Sequence, residues 1–206
     1  MQAQDILRVM TDMPYPPIAP EAKNAIYAGY LLQDLAGNRG KMTTIHQYLY
    51  QNFILSPREG SPFVEKTIVS NKEVDKQDNN FNSMDFSQIS YADTARILMK
   101  IAQVEMLHFN MLGRYITALG GNPKYQMVSG GRLVIWNGGT INYAQEFPKI
   151  VSYNIILETS TMDNYVLQAE RVMDKNLSAM LRRLAEDEKV HLTIFKAMKE
   201  YLKGSL

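Results

Sequence analysis

Two copies of one short motif, Glu-x-x-His, constrain this chain more than any other feature: Glu105 to His108 within AQVEMLHFNML, and Glu188 to His191 within AEDEKVHLTIF. On an α-helix, residues three apart share a face about one turn from each other, so each copy aims a carboxylate and an imidazole at one point. Stepping by threes and fours through the first copy traces Leu98, Ile101, Glu105, His108, Leu112, Tyr115 and Leu119. The second traces Leu177, Leu181, Leu184, Glu188, His191, Phe195, Met198 and Leu202. Both seams are apolar except at the motif. Burying a carboxylate costs several kcal/mol unless it is paired or metal-bound, so two such interruptions point to a shared polar centre in a helical core.

The chemistry available to that centre is bounded by what the chain lacks. There is no cysteine among the 206 residues, which excludes disulfides, thiolate metal sites and cysteine nucleophiles and leaves oxygen and nitrogen as metal ligands. The length and the 46% apolar content suit one well-buried domain spanning 1–206. A net charge of +1 with interspersed signs gives no footprint for nucleic acid or an anionic membrane. MQAQDILRVMTDMPYPP has neither the basic start nor the apolar run of a secretion signal, and no membrane-length apolar stretch follows, so a cytoplasmic location is expected.

Residues 1–19 read as an N-terminal arm, ended by a PYPP that cannot continue a helix. A first helix is expected from Pro20-Glu21 to about Phe53, with Ile26, Tyr30, Gln33, Gly37, Lys41, Thr44 and Tyr48 turned inward. Residues 56–87 form a polar, turn-rich connection. The second helix spans about Gln88 to Leu119 and stops at Gly120-Gly121-Asn122-Pro123. A crossover over 120–145, containing a short extended run from Arg132 to Trp136, is long enough to return along a bundle. The third helix, about Pro148 to Asp174, carries Val151, Ile155, Glu158, Met162, Tyr165, Ala169 and Val172 on one seam, and the fourth runs from about Asn176 to Lys203. Counting residues from the connecting turns brings Glu158 level with Glu188, and Lys41 level with Glu105. The expected fold is therefore an all-α four-helix bundle with one polar layer at mid-height.

A carboxylate helix, Glu-x-x-His, a second carboxylate helix and Glu-x-x-His again, with a long crossover between helices two and three, resembles the ferritin-like di-metal carboxylate superfamily. Within it, GNRGKMTTIHQYLYQ is similar to the first-helix segment of manganese-catalase-like and rubrerythrin-like proteins. The resemblance implies that Glu105 and Glu188 bridge two metals, that His108 and His191 each hold one, and that Glu158 is a terminal ligand. It also implies that Asp187 accepts a hydrogen bond from a ligand imidazole on another helix and fixes its tautomer.

Lys41 departs from that pattern, standing where the family has a first-helix glutamate. Glu105, Glu158 and Glu188 carry −3 together, and Lys41 brings the layer to −2, the charge of one divalent ion rather than two. Three arrangements follow: a single metal on His191, Glu158 and the bridging carboxylates with Lys41 in place of its partner; a loosened metal pair with Lys41 turned to solvent; or a metal-free salt-bridge network. Lys41 and Tyr48 are candidate catalytic side chains, with Asp187 and Tyr165 supporting the ligands. Tyr48 and Tyr165 lie two turns from Lys41 and Glu158 on the same faces. His46 is off the face of Lys41 and reads as a surface residue, and Trp136 as a packing anchor.

Carboxylate-rich nitrogen and oxygen donors suit iron or manganese, one ion or two per chain with one favoured. The resulting reading is an oxidoreductase with an altered centre acting on peroxide, dioxygen or a small substrate. The alternative is a non-catalytic ferritin-fold structural, coat or iron-handling protein. Aromatic runs such as YLYQNF suggest a homo-oligomer, a dimer or larger.

Overall fold

The structure, a computed structural model, describes residues 9–56 and 89–204. Its helices are α1 (Ala25–Ala36), α2 (Lys41–Leu55), α3 (Tyr91–Ala118), α4 (Phe147–Arg171) and α5 (Lys175–Gly204). Helices α1 and α2 together make up the first rod of the bundle, and α3, α4 and α5 the other three. At 1.5 Å per residue α3 and α5 are roughly 40–45 Å long, so the layer halfway along them is far from either end.

Local sequence explains where the rods begin. Asn24 accepts from the backbone N–H groups of Ile26 and Tyr27 at the start of α1. Ser90 and Asp93 form a reciprocal capping box on α3, and Pro148 lies in the first turn of α4. Asp174 caps α5 by accepting from Leu177 N–H at 2.9 Å through one carboxylate oxygen, while the other accepts from Glu21 N–H at 2.8 Å. That second bond ties the segment before α1 to the α4–α5 turn.

The first rod is broken where a continuous helix was expected. α1 ends at Ala36 because Gly37 adopts an extended backbone (φ −70°, ψ 176°) while its N–H still reaches Gln33 O. A β-carbon at Gly37 would lie 2.4 Å from that same carbonyl oxygen, so only glycine permits the turn. The break resets the helical phase. Ile26 and Tyr30, expected inside, are 65% and 46% exposed, and Ala28, Leu31 and Leu35 fill the core instead. Past the break, Lys41, Thr44 and Tyr48 are buried as the sequence suggests.

The crossover carries an antiparallel hairpin, β1 (Gln126–Ser129) and β2 (Arg132–Ile135). Its two turn residues, Gly130 and Gly131, have φ of 57° and 75°, the left-handed pair that a two-residue hairpin turn requires. Met127 faces the bundle and is buried; the outward side chains of Val128, Leu133 and Ile135 are exposed. Most of the 56–87 connection expected from sequence lies outside the described residues. Among the described residues, no helix is long and apolar enough to cross a membrane.

The core divides into two apolar clusters. One gathers Leu98, Ile101, Val151, Phe195 and Met198, and the other Leu31, Leu112, Ile116, Leu177 and Leu181. Between them lies a layer of fully buried polar groups: Lys41, Glu105, His108, Glu158, Asp187, Glu188 and His191.

Candidate metal centre

Each rod delivers to this layer at a fixed height. Lys41 is the first residue of α2, Glu105 and His108 lie one turn apart near the middle of α3, Glu158 is central in α4, and Glu188 and His191 are central in α5. The layer has two unlike ends.

At one end the polar atoms satisfy one another. The Lys41 ammonium pairs with Glu105 Oε2 and with Glu188 Oε1, the latter at 2.6 Å. His108 Nδ1 approaches the same two oxygens, at 3.2 and 3.1 Å. Its Nε2 is 3.0 Å from Asp187 Oδ2 and 3.1 Å from the Tyr15 hydroxyl. Tyr15 in turn donates to Asp187 Oδ2 at 2.5 Å, while Asp187 Oδ1 receives Thr11 N–H at 2.9 Å and the Arg183 guanidinium at 2.6 Å. The Tyr165 ring lies beside Lys41, 5.4 Å from ammonium to centroid.

At the other end the polar atoms face one another without partners. Glu105 Oε1, Glu158 Oε2, Glu188 Oε2 and both nitrogens of His191 are buried and make no hydrogen bond. His191 Nδ1 is 3.6 Å from Glu105 Oε1, 3.7 Å from Glu158 Oε2 and 3.9 Å from Glu188 Oε2, beyond hydrogen-bond reach. Glu158 Oε1 is held by the Tyr48 hydroxyl.

In sequence, residues 41–159 match the ferritin-like family. The chain belongs to that family. The match takes in Lys41, Glu105, His108 and Glu158. Comparison with curated proteins finds no match. Among solved structures, KatB, a manganese catalase from Anabaena, superimposes with a TM-score of 0.65 at 18% identity, covering 94% of this chain and 80% of that one. A bacterioferritin from Desulfovibrio desulfuricans, described with a diiron site, gives a TM-score of 0.58 at 19% identity over 87% of this chain and 81% of that one. These are likenesses of fold.

In this ferritin-like chain the unpartnered end has the donors of a metal site. Glu105, Glu158, Glu188 and His191 each offer one ligand atom, the four lying within 4.8 Å of one another. Ligands about 2.1 Å from one ion lie up to about 4.2 Å apart, so a small contraction closes such a cage. A buried carboxylate oxygen without a partner is costly in a dry protein. Three of them around one imidazole form the arrangement that an iron or manganese ion would satisfy.

Electrostatics divides the layer the same way. Burial and the Glu188 charge push Glu105 up, but Lys41 together with the imidazoles of His108 and His191 outweighs them and holds it at about 2. Glu188 faces the same burial and is held well below the ordinary range by Lys41 and His108. Burial would drive His108 toward its neutral form, yet hydrogen bonds to Asp187, Glu105 and Glu188 raise it to about 10. Glu158 is farther from Lys41; burial and the Glu188 charge push it up to about 8. Burial also disfavours a charged His191, but Glu158 and the other carboxylates pull it well above its ordinary value. That end of the layer calls for positive charge.

Tyr15, Thr11 and Arg183 are part of this network and were not singled out in the sequence. Arg183 lies four residues before Asp187 on one helical face, a spacing that signals a pair; the position of Tyr15 in a proline-rich arm carries no such signal. His46 is exposed on α2, its ring 4.9 Å from that of Trp136, and takes no part in the layer. Trp136 anchors the crossover by donating to Thr43 Oγ1 at 2.9 Å.

Proposed function

We propose that this chain is a ferritin-like metalloprotein holding one iron or manganese ion per chain through Glu105, Glu158, Glu188 and His191. Lys41 and His108 supply the positive charge that a second ion would bring. The observation that carries this reading is the asymmetry of the layer: the carboxylate oxygens turned toward Lys41 are paired, and those turned toward His191 are not. The manganese of the Anabaena catalase and the diiron site of the bacterioferritin favour these two metals here.

A bound iron or manganese ion would supply a redox couple, and we read the protein as an oxidoreductase acting on peroxide, dioxygen or a small organic substrate. The chain's own residues set the conditions for that chemistry. The two apolar clusters keep bulk water from both sides of the layer. Tyr48 holds Glu158 by its outer oxygen, leaving the inner one directed toward His191. Lys41 keeps Glu105 and Glu188 ionised, so both remain ligands at neutral pH. Exposed Phe53, beside Tyr50 on α2, is consistent with a homo-oligomer.

Iron, manganese and zinc measured per chain, on protein purified without chelator and again after reconstitution, test this reading. About one ion per chain is expected. Two ions would mean that Lys41 leaves the layer when metal binds. None after reconstitution would favour a salt-bridge network and a structural role.

A further inference from the structure

The atoms that would hold the ion are wholly buried, so neither an ion nor a small oxidant reaches them without the displacement of some side chain. Four helical rods surround the layer, and moving any of them would open the core. The cover lying over α5 differs. Residues of the N-terminal arm cross α5 in irregular conformation, anchored at one end by Val9, which is fully buried in the apolar cluster. The arm is held against α5 by polar contacts: Thr11 N–H to Asp187, Arg183 Nε to Met13 O at 2.7 Å, and Arg183 Nη2 to Thr11 O at 3.2 Å.

Tyr15 occupies the boundary. Its hydroxyl meets Asp187 and His108, its ring stands edge-on to the His108 imidazole at 82°, and the Arg183 guanidinium lies 4.2 Å from its centroid. The same side chain lines a solvent-open cavity of about 690 Å³, together with Met13, Pro17, Val166, Arg182 and Glu186. One aromatic side chain therefore separates this cavity from His108, whose other ring nitrogen touches the bridging carboxylates. Moving it breaks a few hydrogen bonds of an irregular segment and exposes His108, whose imidazole must then turn aside to uncover the far oxygens of Glu105 and Glu188, whereas moving a rod of the bundle disrupts helix packing.

We propose that Tyr15 is the gate of the centre: ions and small oxidants reach the layer through this cavity, and the hydrogen bonds of Tyr15 to Asp187 and His108 hold the gate shut. The inference rests on the metal-binding reading and concerns the route to it. The test is the rate at which bound manganese is lost. Protein is loaded with Mn2+, freed of excess ion and mixed with EDTA, and released manganese is followed over time. Tyr15→Phe, which keeps the ring and loses the hydroxyl, should release manganese at least about tenfold faster than wild type, the effect of one lost hydrogen bond to a charged partner. Tyr15→Ala should be faster still, and both should bind the same number of ions. Ile150→Ala, a core truncation at the other end of α4, controls for loss of stability and should release at the wild-type rate. Release from both Tyr15 variants at the wild-type rate, or release that tracks melting temperature across all three variants, would overturn the gate while leaving the metal site standing. A wild-type chain that retains no manganese overturns the metal reading and the gate with it.

Discussion

Replacing Lys41 by glutamate is the sharpest perturbation of this centre, because its consequences differ with and without metal. The ammonium is fully buried and is shared by Glu105 and Glu188. Removing one partner of such a buried charge network costs about 3–5 kcal/mol, since the remaining charges lose their compensation. Lys41→Glu goes further by adding a fourth carboxylate to the layer. In a chain of this size each kcal/mol moves the melting temperature by about 2–4 °C, so the metal-stripped variant should melt at least about 6–20 °C below the wild type. The exchange changes the formal charge of the layer by two units, from +1 to −1 at this position, which is the charge of one divalent ion. With manganese or iron supplied, the metal content should rise by about one ion per chain. Much of the lost stability should return, because an ion at a thousand times its dissociation constant contributes about 4 kcal/mol. Elemental analysis and thermal melts with and without chelator read both effects. Lys41→Met, which removes the charge and adds no ligand, should lose stability and gain no ion. A folded Lys41→Glu protein with unchanged metal content would refute the charge argument.

Other expectations are simpler to test. Wild-type protein melted with manganese at a hundred times its dissociation constant should gain about 5–11 °C over the chelator-treated form, and equal melting temperatures would contradict a metal site. Burial pushes the Asp34 carboxyl from 3.8 up to about 7, only partly offset by hydrogen bonds from Gln168 and Asn164. A carboxyl raised in the fold is favoured there as the neutral acid, and its ionised form destabilises the fold. The Asp34 contribution to stability should therefore fall as pH rises from about 4 through about 7, by up to about 4 kcal/mol, and denaturant titrations should find the pH slope over that range reduced by that amount in Asp34→Asn, with the share from Glu158 remaining. Gly37→Ala would place a methyl group 2.4 Å from Gln33 O; the backbone must shift, and urea unfolding should report a loss of about 1–3 kcal/mol.

What the sequence made legible follows from periodicity. The seams of α3 and α5 are uninterrupted for several turns, and a buried carboxylate and imidazole stand out in them because apolar residues flank them at every step of three or four. The first rod was misread over Ile26 and Tyr30 because periodicity was carried through Gly37, where the chain leaves the helix and starts again at Lys41 with a new phase. Lys41 itself was placed correctly, since it begins the new helix and Tyr48 follows it two turns later. The arm defeated the reading for a different reason. The contact of Tyr15 with Asp187 spans 172 residues, and an irregular segment has no period from which a facing direction can be inferred. Arg183 was hidden by its surroundings: a basic residue four positions before an acid on a helix usually marks a solvated pair, and its 5% exposure becomes apparent only once the arm lies across it.

The two histidines show why motif symmetry does not make a symmetric centre. His108 and His191 occupy the same position in their motifs and reach the same layer, yet both nitrogens of His108 have carboxylate partners and neither nitrogen of His191 has a hydrogen bond. The difference arises outside the motifs, from Lys41 on α2 and from Asp187 with the arm residues that bind it. The two influences act on different nitrogens. Asp187 takes Nε2, so that an ion arriving at Nδ1 in place of the proton held there by Glu105 and Glu188 would meet an imidazole already oriented to ligate. Lys41 occupies Glu105 Oε2 and Glu188 Oε1, the two oxygens that Nδ1 also faces. Exchanging Lys41 for glutamate frees those oxygens without disturbing the hold on Nε2. One substitution should therefore be enough to build a second ion site around His108, whereas a change at Asp187 alone would loosen His108 and leave the ammonium where it is.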